Sequence, residues 1–341
     1  MKRREALQGG LALAISTLAA WTARADTTKA TGNVATKNVD PPQVVDRAIV
    51  SANMRPVSAG RLLHFSAVRS AFAAPRDVWI WLPDSYTPEG LPHDVLYMHD
   101  GANLFEPGGA FGGKEWGVDE ALTQLVGKLP PTLVVGIGNT PLRFREYMPK
   151  GVWARLPAEQ RAFITKGHGG EPLSDGYLKF IVQELKPWVD ATFRTLPGPD
   201  HTHVMGSSMG GLISFYALGE YPEVFGGAAC LSTHWPAGVP ASLEPRPAAE
   251  VHGMATAFAA WLEPHWSQLR GHRLYLDRGD ATLDVLYPPF QDAIDQWLQG
   301  RAPAAGLQWQ SRAFPGAEHT EVAWRARLAE PLQFLLEKPR N

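Results

Sequence analysis

The chain has 341 residues, of which 45% are hydrophobic and 19% are charged, and its formal net charge is −2. This composition is typical of a globular protein and offers no excess of positive charge for binding nucleic acid or an acidic membrane surface. The single cysteine, Cys230, excludes an intrachain disulfide and a metal site built from cysteines.

The first 25 residues have the pattern of an export signal. Lys2-Arg3-Arg4 is a positively charged start, residues 11–21 form a short apolar stretch, and Ala23-Arg24-Ala25 matches a small-x-small cleavage site. The paired arginines resemble a twin-arginine signal, and a general secretory signal is the alternative. We therefore expect residues 1–25 to be removed and the mature protein to be periplasmic or secreted from a bacterium.

Residues 26–55 show no periodicity of apolar side chains, and we expect a flexible lead-in there. Residues 56–341 then form one domain. No stretch after the signal is long and apolar enough for a membrane-spanning helix, so we expect no integral membrane segment once the signal is removed.

Short apolar runs alternate with helix-like segments along this domain. The predicted strands are 62–68, 78–82, 95–98, 132–138, 203–205, 225–231, 273–276 and 307–314. The predicted helices are 118–125, 173–193, 211–218, 254–266, 287–298 and a last one that ends near residue 336. Near-continuous apolar strands are typical of a sheet that is covered on both faces. The alternation predicts an α/β fold with a mostly parallel central sheet flanked by helices.

Residues 141–172 form a long segment that is rich in Arg, Gly and aromatic residues. A connection of this length in a compact domain is usually a functional loop or lid. We expect this segment to contribute to a binding cleft.

The pentapeptide Gly206-Ser207-Ser208-Met209-Gly210 lies between a predicted strand and a predicted helix. In this G-x-S-x-G context the serine occupies a sharp turn that exposes its hydroxyl, and the glycines let the neighbouring backbone approach without a clash. The N–H groups that follow, at the start of the helix, point toward developing negative charge. The pattern predicts that Ser208 is a nucleophile.

A serine hydroxyl needs a base to remove its proton, and a carboxylate to orient that base. His319 follows the last predicted strand in a turn, which makes it the best candidate for the base. The chain order nucleophile, acid, histidine then requires an aspartate between them. Asp277, Asp280 and Asp284 all lie after the strand at 273–276, and the spacing leaves the choice open.

Two other histidines follow predicted strands and are rivals for the base. We expect His99 to shape the turn that follows its strand. We expect His234, together with Trp235, to line a substrate pocket.

Three blocks of sequence resemble the putative-esterase family of α/β hydrolases. They are Tyr97-Met98-His99-Asp100-Gly101, residues 205–211 around the elbow, and Phe314-Pro315-Gly316-Ala317-Glu318-His319. The family includes feruloyl esterases, enterochelin esterases, S-formylglutathione hydrolases and mycolyltransferases. The resemblance extends from about Leu62 to Leu336 and implies a single-domain α/β-hydrolase fold.

The resemblance implies roles for individual residues. Ser208 corresponds to the nucleophile and His319 to the base. The backbone N–H groups of Ala102 and Met209 correspond to the oxyanion hole. The family needs no metal and no organic cofactor, so we expect none here.

The resemblance also favours one of the candidate acids. In the family the acid lies a few residues past the glycine that ends the strand, and about two helical turns before a polar helix residue. Here those positions are Gly279 and Gln291, which favours Asp284. An aspartate directly after the glycine, Asp280, departs from the family pattern and is the alternative.

These features predict a serine esterase that hydrolyses a small-molecule or glycan-linked carboxylic ester through an acyl-enzyme. An acyltransferase that uses the same acyl-enzyme is the first alternative. A non-catalytic binding protein on the same fold is the second.

Overall fold

The computed structural model describes residues 53–240 and 242–337. The predicted export signal and most of the predicted lead-in lie outside these residues. Residues 53–55, which we assigned to the lead-in, form an edge strand instead. Their backbone pairs antiparallel with residues 62–64 of the next strand, which places them in the folded domain.

A single sheet runs through the described part of the chain. Its strands are β1 (Asn53–Arg55), β2 (Arg61–Val68), β3 (Arg76–Leu82), β4 (Asp94–His99), β5 (Thr132–Ile137), β6 (Thr202–Ser207), β7 (Gly227–Leu231), β8 (Arg273–Arg278) and β9 (Gln308–Ala313). The nine strands lie in the order β1-β2-β3-β5-β4-β6-β7-β8-β9. The pairs from β1 to β3, and β3 with β5, are antiparallel, and all the remaining pairs are parallel. The predicted α/β architecture with a mostly parallel sheet is confirmed.

Helices connect these strands and cover both faces of the sheet. They are α1 (Val118–Gln124), α2 (Arg143–Tyr147), α3 (Lys150–Trp153), α4 (Ala158–His168), α5 (Ser174–Lys179), α6 (Lys186–Thr192), α7 (Met209–Glu220), α8 (Ala248–Leu262), α9 (Pro288–Ala305), α10 (Glu321–Arg327) and α11 (Ala329–Leu336). Within the described ranges, none of them has the length and apolar character needed to cross a membrane.

Strand β4 shows how the sheet divides the core into two layers. Successive side chains of a strand point to opposite faces. Val95 and Tyr97 accordingly pack into the core layer beneath α7 and α8, whereas Leu96 and Met98 pack into the layer beneath α1 and α11. The strand is therefore buried on both faces, as its continuous apolar sequence predicts.

The segment 141–172, which we expected to be a loop or lid, is largely helical and contains α2, α3 and α4. Pro149 caps α3 and Pro157 caps α4 at their N-termini. Proline disfavours the helical conformation of the residue before it and lacks a backbone N–H. The segment is therefore divided into helices too short to show a clear apolar periodicity.

Prolines also distort two helices that the periodicity predicts as regular. Between α5 and α6 the chain widens into a π-helix at Phe180–Leu185, just before Pro187. The last predicted helix is divided at Leu328, and Pro331 lies in the first turn of α11. In both places the missing N–H removes a bond of the regular helical ladder.

We predict opposite effects for two glycine-to-alanine substitutions in helices. At Gly219 in α7 a methyl group would overlap the buried indole ring of Trp261. Overpacking of this kind costs about 1–3 kcal/mol. At Gly300 in α9 a methyl group meets open space, so Gly300→Ala should gain up to about 1 kcal/mol from helix propensity. Urea unfolding of both variants measures the difference, and equal stabilisation of both would contradict the packing described here.

Candidate active site

Ser208 lies at the sharp turn between β6 and α7. Its backbone dihedrals are φ 57° and ψ −124°, outside the regions that residues other than glycine normally occupy. The turn is tight because a Cβ on Gly206 would lie 2.8 Å from the carbonyl carbon of Gly210. The backbone N–H of Ser208 donates to the carbonyl of Leu231 at 2.9 Å, and the N–H of His234 donates to the carbonyl of Ser208 at 3.1 Å. The end of β7 therefore holds the strained turn in place.

His319 lies in the loop after β9, and its position is fixed at two atoms. Its backbone N–H donates to Thr282 Oγ1 at 2.8 Å. Its ring atom Nδ1 donates to Asp284 Oδ1 at 2.5 Å. The loops after β8 and β9 are thus joined by both backbone and side-chain contacts.

Asp284 is fully buried and accepts several hydrogen bonds. Besides His319, its carboxylate receives the N–H of Gly279 and the hydroxyl of Ser232, both at Oδ2 and both at 2.6 Å. Burial opposes ionisation, but the charge of His319 and these hydrogen bonds outweigh burial and lower the pKa of Asp284. The group is therefore a carboxylate at neutral pH.

Asp280, the alternative acid, is exposed and points elsewhere. Its Oδ1 accepts the N–H of Gly316 at 2.6 Å, in the turn before His319. Asp280 therefore supports the loop that carries the histidine, whereas Asp284 contacts the histidine itself.

A buried network behind Asp284 was not predicted from the sequence. Ser232 Oγ accepts hydrogen bonds from Trp324 Nε1 at 3.0 Å and from Arg327 Nη2 at 2.8 Å. Because both of these groups can only donate, the single hydroxyl proton of Ser232 is free to point at Asp284. Arg327 also makes two hydrogen bonds to Asp277, at 2.9 and 3.0 Å.

Asp277 belongs to β8, and its carboxylate is paired with Arg327 and does not face His319. Burial raises the pKa of Asp277, and Arg327 opposes that rise by charge and by hydrogen bonds. One feature of the sequence could have revealed this pair. Arg327 is an arginine on the otherwise apolar face of the last predicted helix.

Tyr287 is the second residue that the sequence analysis missed, and its hydroxyl lies between two histidines of the site. It lies 2.8 Å from His234 Nδ1 and 3.5 Å from His319 Nδ1. The loops after β7 and β9 therefore converge on one buried phenol.

His234 and Trp235 are buried in the core and not exposed in a cleft, which corrects the expectation for both. His234 is 1% exposed, and its two ring nitrogens contact Tyr287 and the carbonyl of Gly238. Trp235 is fully buried, packs edge-on against Phe258, and donates its indole N–H to Gln291. Both side chains support the site from within the core because the loop after β7 turns inward.

The turn after β4 carries the first predicted oxyanion donor, the N–H of Ala102. Asp100 has a positive φ of 56° and starts the 3₁₀ turn Gly101–Asn103. At Gly101 a side chain would lie 2.6 Å from the backbone of Gly136, so the close approach of β5 requires glycine. A Cβ on Gly210 would lie 3.5 Å from His99, so this turn adjoins the start of α7 and with it Met209.

Asp100 is paired with Arg143, the third residue missed by the sequence analysis. Arg143 Nε and Nη2 donate to Asp100 Oδ1 and Oδ2 at 2.7 and 2.8 Å, and Asn139 donates to Oδ1 at 2.6 Å. Burial opposes ionisation, but Arg143 and Asn139 outweigh it and lower the pKa of Asp100. The helix α2 is thereby tied to the turn that carries Ala102.

His99 shapes this turn from below. It is buried, its Nδ1 lies 2.7 Å from the hydroxyl of Tyr177, and burial lowers its pKa to about 3. It is therefore a neutral structural residue. Within residues 53–240 and 242–337, no group of three or more His, Cys, Asp or Glu side chains is placed to hold a metal ion.

The sheet order together with a strained serine between strand and helix defines an α/β hydrolase. A family model described as Putative esterase matches residues 70–335, and the chain belongs to this family of hydrolases acting on esters.

Similar proteins and structures agree with this fold. The chain is 27% identical over 164 residues to the uncharacterized protein YbbA of Bacillus subtilis (strain 168). The matched region covers 48% of this chain and 59% of that relative. A ferulic acid esterase structure aligns with a TM-score of 0.54 at 17% identity, covering 81% of this chain and 97% of that one. An IroE-like serine hydrolase from Shewanella oneidensis aligns with a TM-score of 0.53 at 18% identity. The alignment covers 77% of this chain and 76% of that one.

We predict that the buried network behind Asp284 contributes far more to stability than a surface pair on the same helix. Arg327→Met should cost about 3–5 kcal/mol because it leaves the carboxylate of Asp277 buried and unpaired. Arg325→Met is the matched control, since Arg325 is on α10 but its side chain is 44% exposed; its loss should cost less than about 1 kcal/mol. Chemical denaturation gives both values, and similar losses would refute the assigned role of Arg327.

Proposed function

We propose that this protein is a serine esterase that hydrolyses a carboxylic ester through an acyl-enzyme on Ser208. The observation that carries the proposal is the strained serine at the strand–helix turn, together with a histidine in the loop after β9 that donates to a buried carboxylate. Backbone strain of this kind at a serine is typical of a nucleophile held ready for attack.

The proposed reaction begins when Ser208 Oγ attacks the ester carbonyl. His319 takes the serine proton at Nε2, the ring atom that does not face the carboxylate. Asp284 keeps the proton on Nδ1 and stabilises the imidazolium, a role that suits its lowered pKa. The N–H groups of Ala102 and Met209 bind the oxyanion.

His319 then protonates the departing alcohol, and the acyl group remains on Ser208. A water molecule, deprotonated by the same imidazole, attacks the acyl-enzyme and releases the acid. Every proton in this scheme moves between the serine, the histidine and the substrate or water. We propose a small-molecule or glycan-linked ester as substrate and, from the signal at residues 1–25, a periplasmic or extracellular location.

An acyltransferase is the second candidate, and one structural feature supports it. An open cavity of about 1020 Å³ lies beside the loop that carries His319, since Glu318 and Thr320 are among its lining residues. Its wall also includes Phe111, Lys114, Phe314 and Val322. A cavity of this size offers room for an alcohol that replaces water as acceptor of the acyl group.

We predict that Ser208→Ala removes ester hydrolysis while the fold is retained. Loss of the nucleophile leaves only binding and the oxyanion hole, a decrease on the order of 10³-fold or more. Ser207→Ala is the matched control and should keep most of the activity. Hydrolysis of p-nitrophenyl acetate measures both variants, and an organophosphonate ester should label the wild type on the peptide that contains Ser208.

The outcomes of these assays separate the candidate functions. Equal activity in the two variants, or phosphonate label on another peptide, would reject Ser208 as nucleophile. Acyl transfer to an added alcohol in excess of hydrolysis would favour the acyltransferase. A wild type that neither turns over esters nor takes the label would favour the non-catalytic binding protein.

We predict that the two aspartates differ sharply in their effect on the reaction. Asp284→Asn removes the carboxylate that orients His319 and should lower kcat by up to about 10⁴-fold. Asp280→Asn changes a residue that supports only the turn at Gly316, and it should lose far less. Steady-state kinetics on the same ester gives the comparison, and a crippled Asp280→Asn beside an active Asp284→Asn would reverse the assignment.

A further inference from the structure

The hydrogen bonds around His234 determine which of its nitrogens carries the proton. Its Nε2 lies 3.0 Å from the carbonyl oxygen of Gly238. Because a carbonyl can only accept, Nε2 must be the donor. Burial lowers the pKa of His234 to about 3, so the ring is neutral. The other nitrogen, Nδ1, therefore has a lone pair and can only accept.

The proton of Tyr287 is then determined as well. Tyr287 is fully buried, and burial raises its pKa well above the usual value, so the phenol keeps its proton. Its oxygen lies 2.8 Å from His234 Nδ1, the acceptor just described. The hydroxyl donates its only proton to that nitrogen. Any further hydrogen bond at the Tyr287 oxygen must be one that it accepts.

The partner that faces this oxygen is the proposed base. His319 Nδ1 lies 3.5 Å from it. The rings of Tyr287 and His319 meet edge to face, with centroids 5.6 Å apart. Since Nδ1 of His319 already donates to Asp284 at 2.5 Å, the tyrosine oxygen is a secondary acceptor beside that bond.

We propose that Tyr287 is a positioning residue for the esterase reaction, and that His234 sets the direction of its hydroxyl. In the resting enzyme the Tyr287 oxygen lies beside the Nδ1–H of His319 and helps to hold the imidazole ring in one orientation. When His319 becomes an imidazolium, the same oxygen presents its negative end to the charged ring. This inference rests on the proposed function, because it assigns a role within that reaction.

A positioning role for the Tyr287 oxygen and a simple packing role for its ring predict different effects on kcat and KM. An acceptor beside His319 interacts more strongly with an imidazolium than with a neutral ring, because the bond becomes charge-assisted. The charged ring forms only after attack begins. The Tyr287 oxygen should therefore contribute mainly to kcat, with little effect on KM.

The first test removes the Tyr287 oxygen and keeps the ring. Tyr287→Phe should lower kcat on the order of tenfold, the usual effect of one hydrogen bond, with KM nearly unchanged. Its rate of phosphonylation at Ser208 should fall in parallel. Tyr97→Phe is the matched control, because Tyr97 is also fully buried and its hydroxyl makes no hydrogen bond to any described residue. That variant should retain wild-type kinetics.

The second test changes the direction of the Tyr287 hydroxyl and leaves the oxygen in place. His234→Asn keeps an acceptor near the position of Nδ1, whereas His234→Leu removes it and frees the phenol proton to point at His319. Both variants lose the contact with Gly238, so the difference between them isolates the acceptor. We expect His234→Leu to lose kcat at least as strongly as Tyr287→Phe, and His234→Asn to retain clearly more activity than His234→Leu.

The results separate this inference from the proposed function. If the wild type hydrolyses the ester and Ser208→Ala does not, the proposed function stands whatever Tyr287 does. In that case a folded Tyr287→Phe with wild-type kcat, or equal losses in the two His234 variants, would overturn the positioning role. Thermal melts of all variants show whether a loss of rate reflects unfolding, and a folded Tyr287→Phe with a lower kcat supports the role.

Discussion

The hydrogen bond between His319 and Asp284 is the contact on which the arrangement of the site depends. It joins the loops that follow β8 and β9, two neighbouring strands at one edge of the sheet. Asp284 is fully buried, and a charge without solvent is stable only when donors surround it. Ser232 and the backbone of Gly279 supply those donors. The edge of the sheet can therefore hold an ionised carboxylate only because these loops close around it.

Backbone strain concentrates at the same end of the sheet. Among the described residues other than glycine, those with positive φ include Asp100, Ser208, Ser232, Ala237 and Thr282, all in turns that follow strands of the site. Each such conformation costs on the order of 1–3 kcal/mol and persists only where its surroundings hold it. The two packed core layers and the hydrogen bonds from neighbouring strand ends provide that support. The strained residues and the proposed catalytic residues lie close together because both occur in the turns where strands end abruptly.

The sequence predicts the strands and the ends of strands well, because buried parallel strands are continuous apolar runs and polar residues mark where they stop. The proposed roles of Ser208 and His319 rest on such strand ends. Contacts that depend on how helices lie against the sheet left no comparable pattern. Arg143 lies in a segment that prolines divide into short helices, and Tyr287 looks like an ordinary aromatic residue at the start of a helix. Their roles follow only from which atoms they meet across the fold.

Two chains of hydrogen bonds approach His319 and Asp284, and each begins at a group that can only accept or only donate. One begins at the carbonyl of Gly238, which can only accept, and it sets in turn the protons of His234 and Tyr287. The other begins at Arg327, which can only donate, and it reaches Asp284 through Ser232. No titratable group in either chain needs to change its proton for the directions to hold. The fold therefore determines the orientation of both acceptors beside His319 before any substrate arrives, and in the proposed reaction this is the form of preorganisation on which electrostatic catalysis depends.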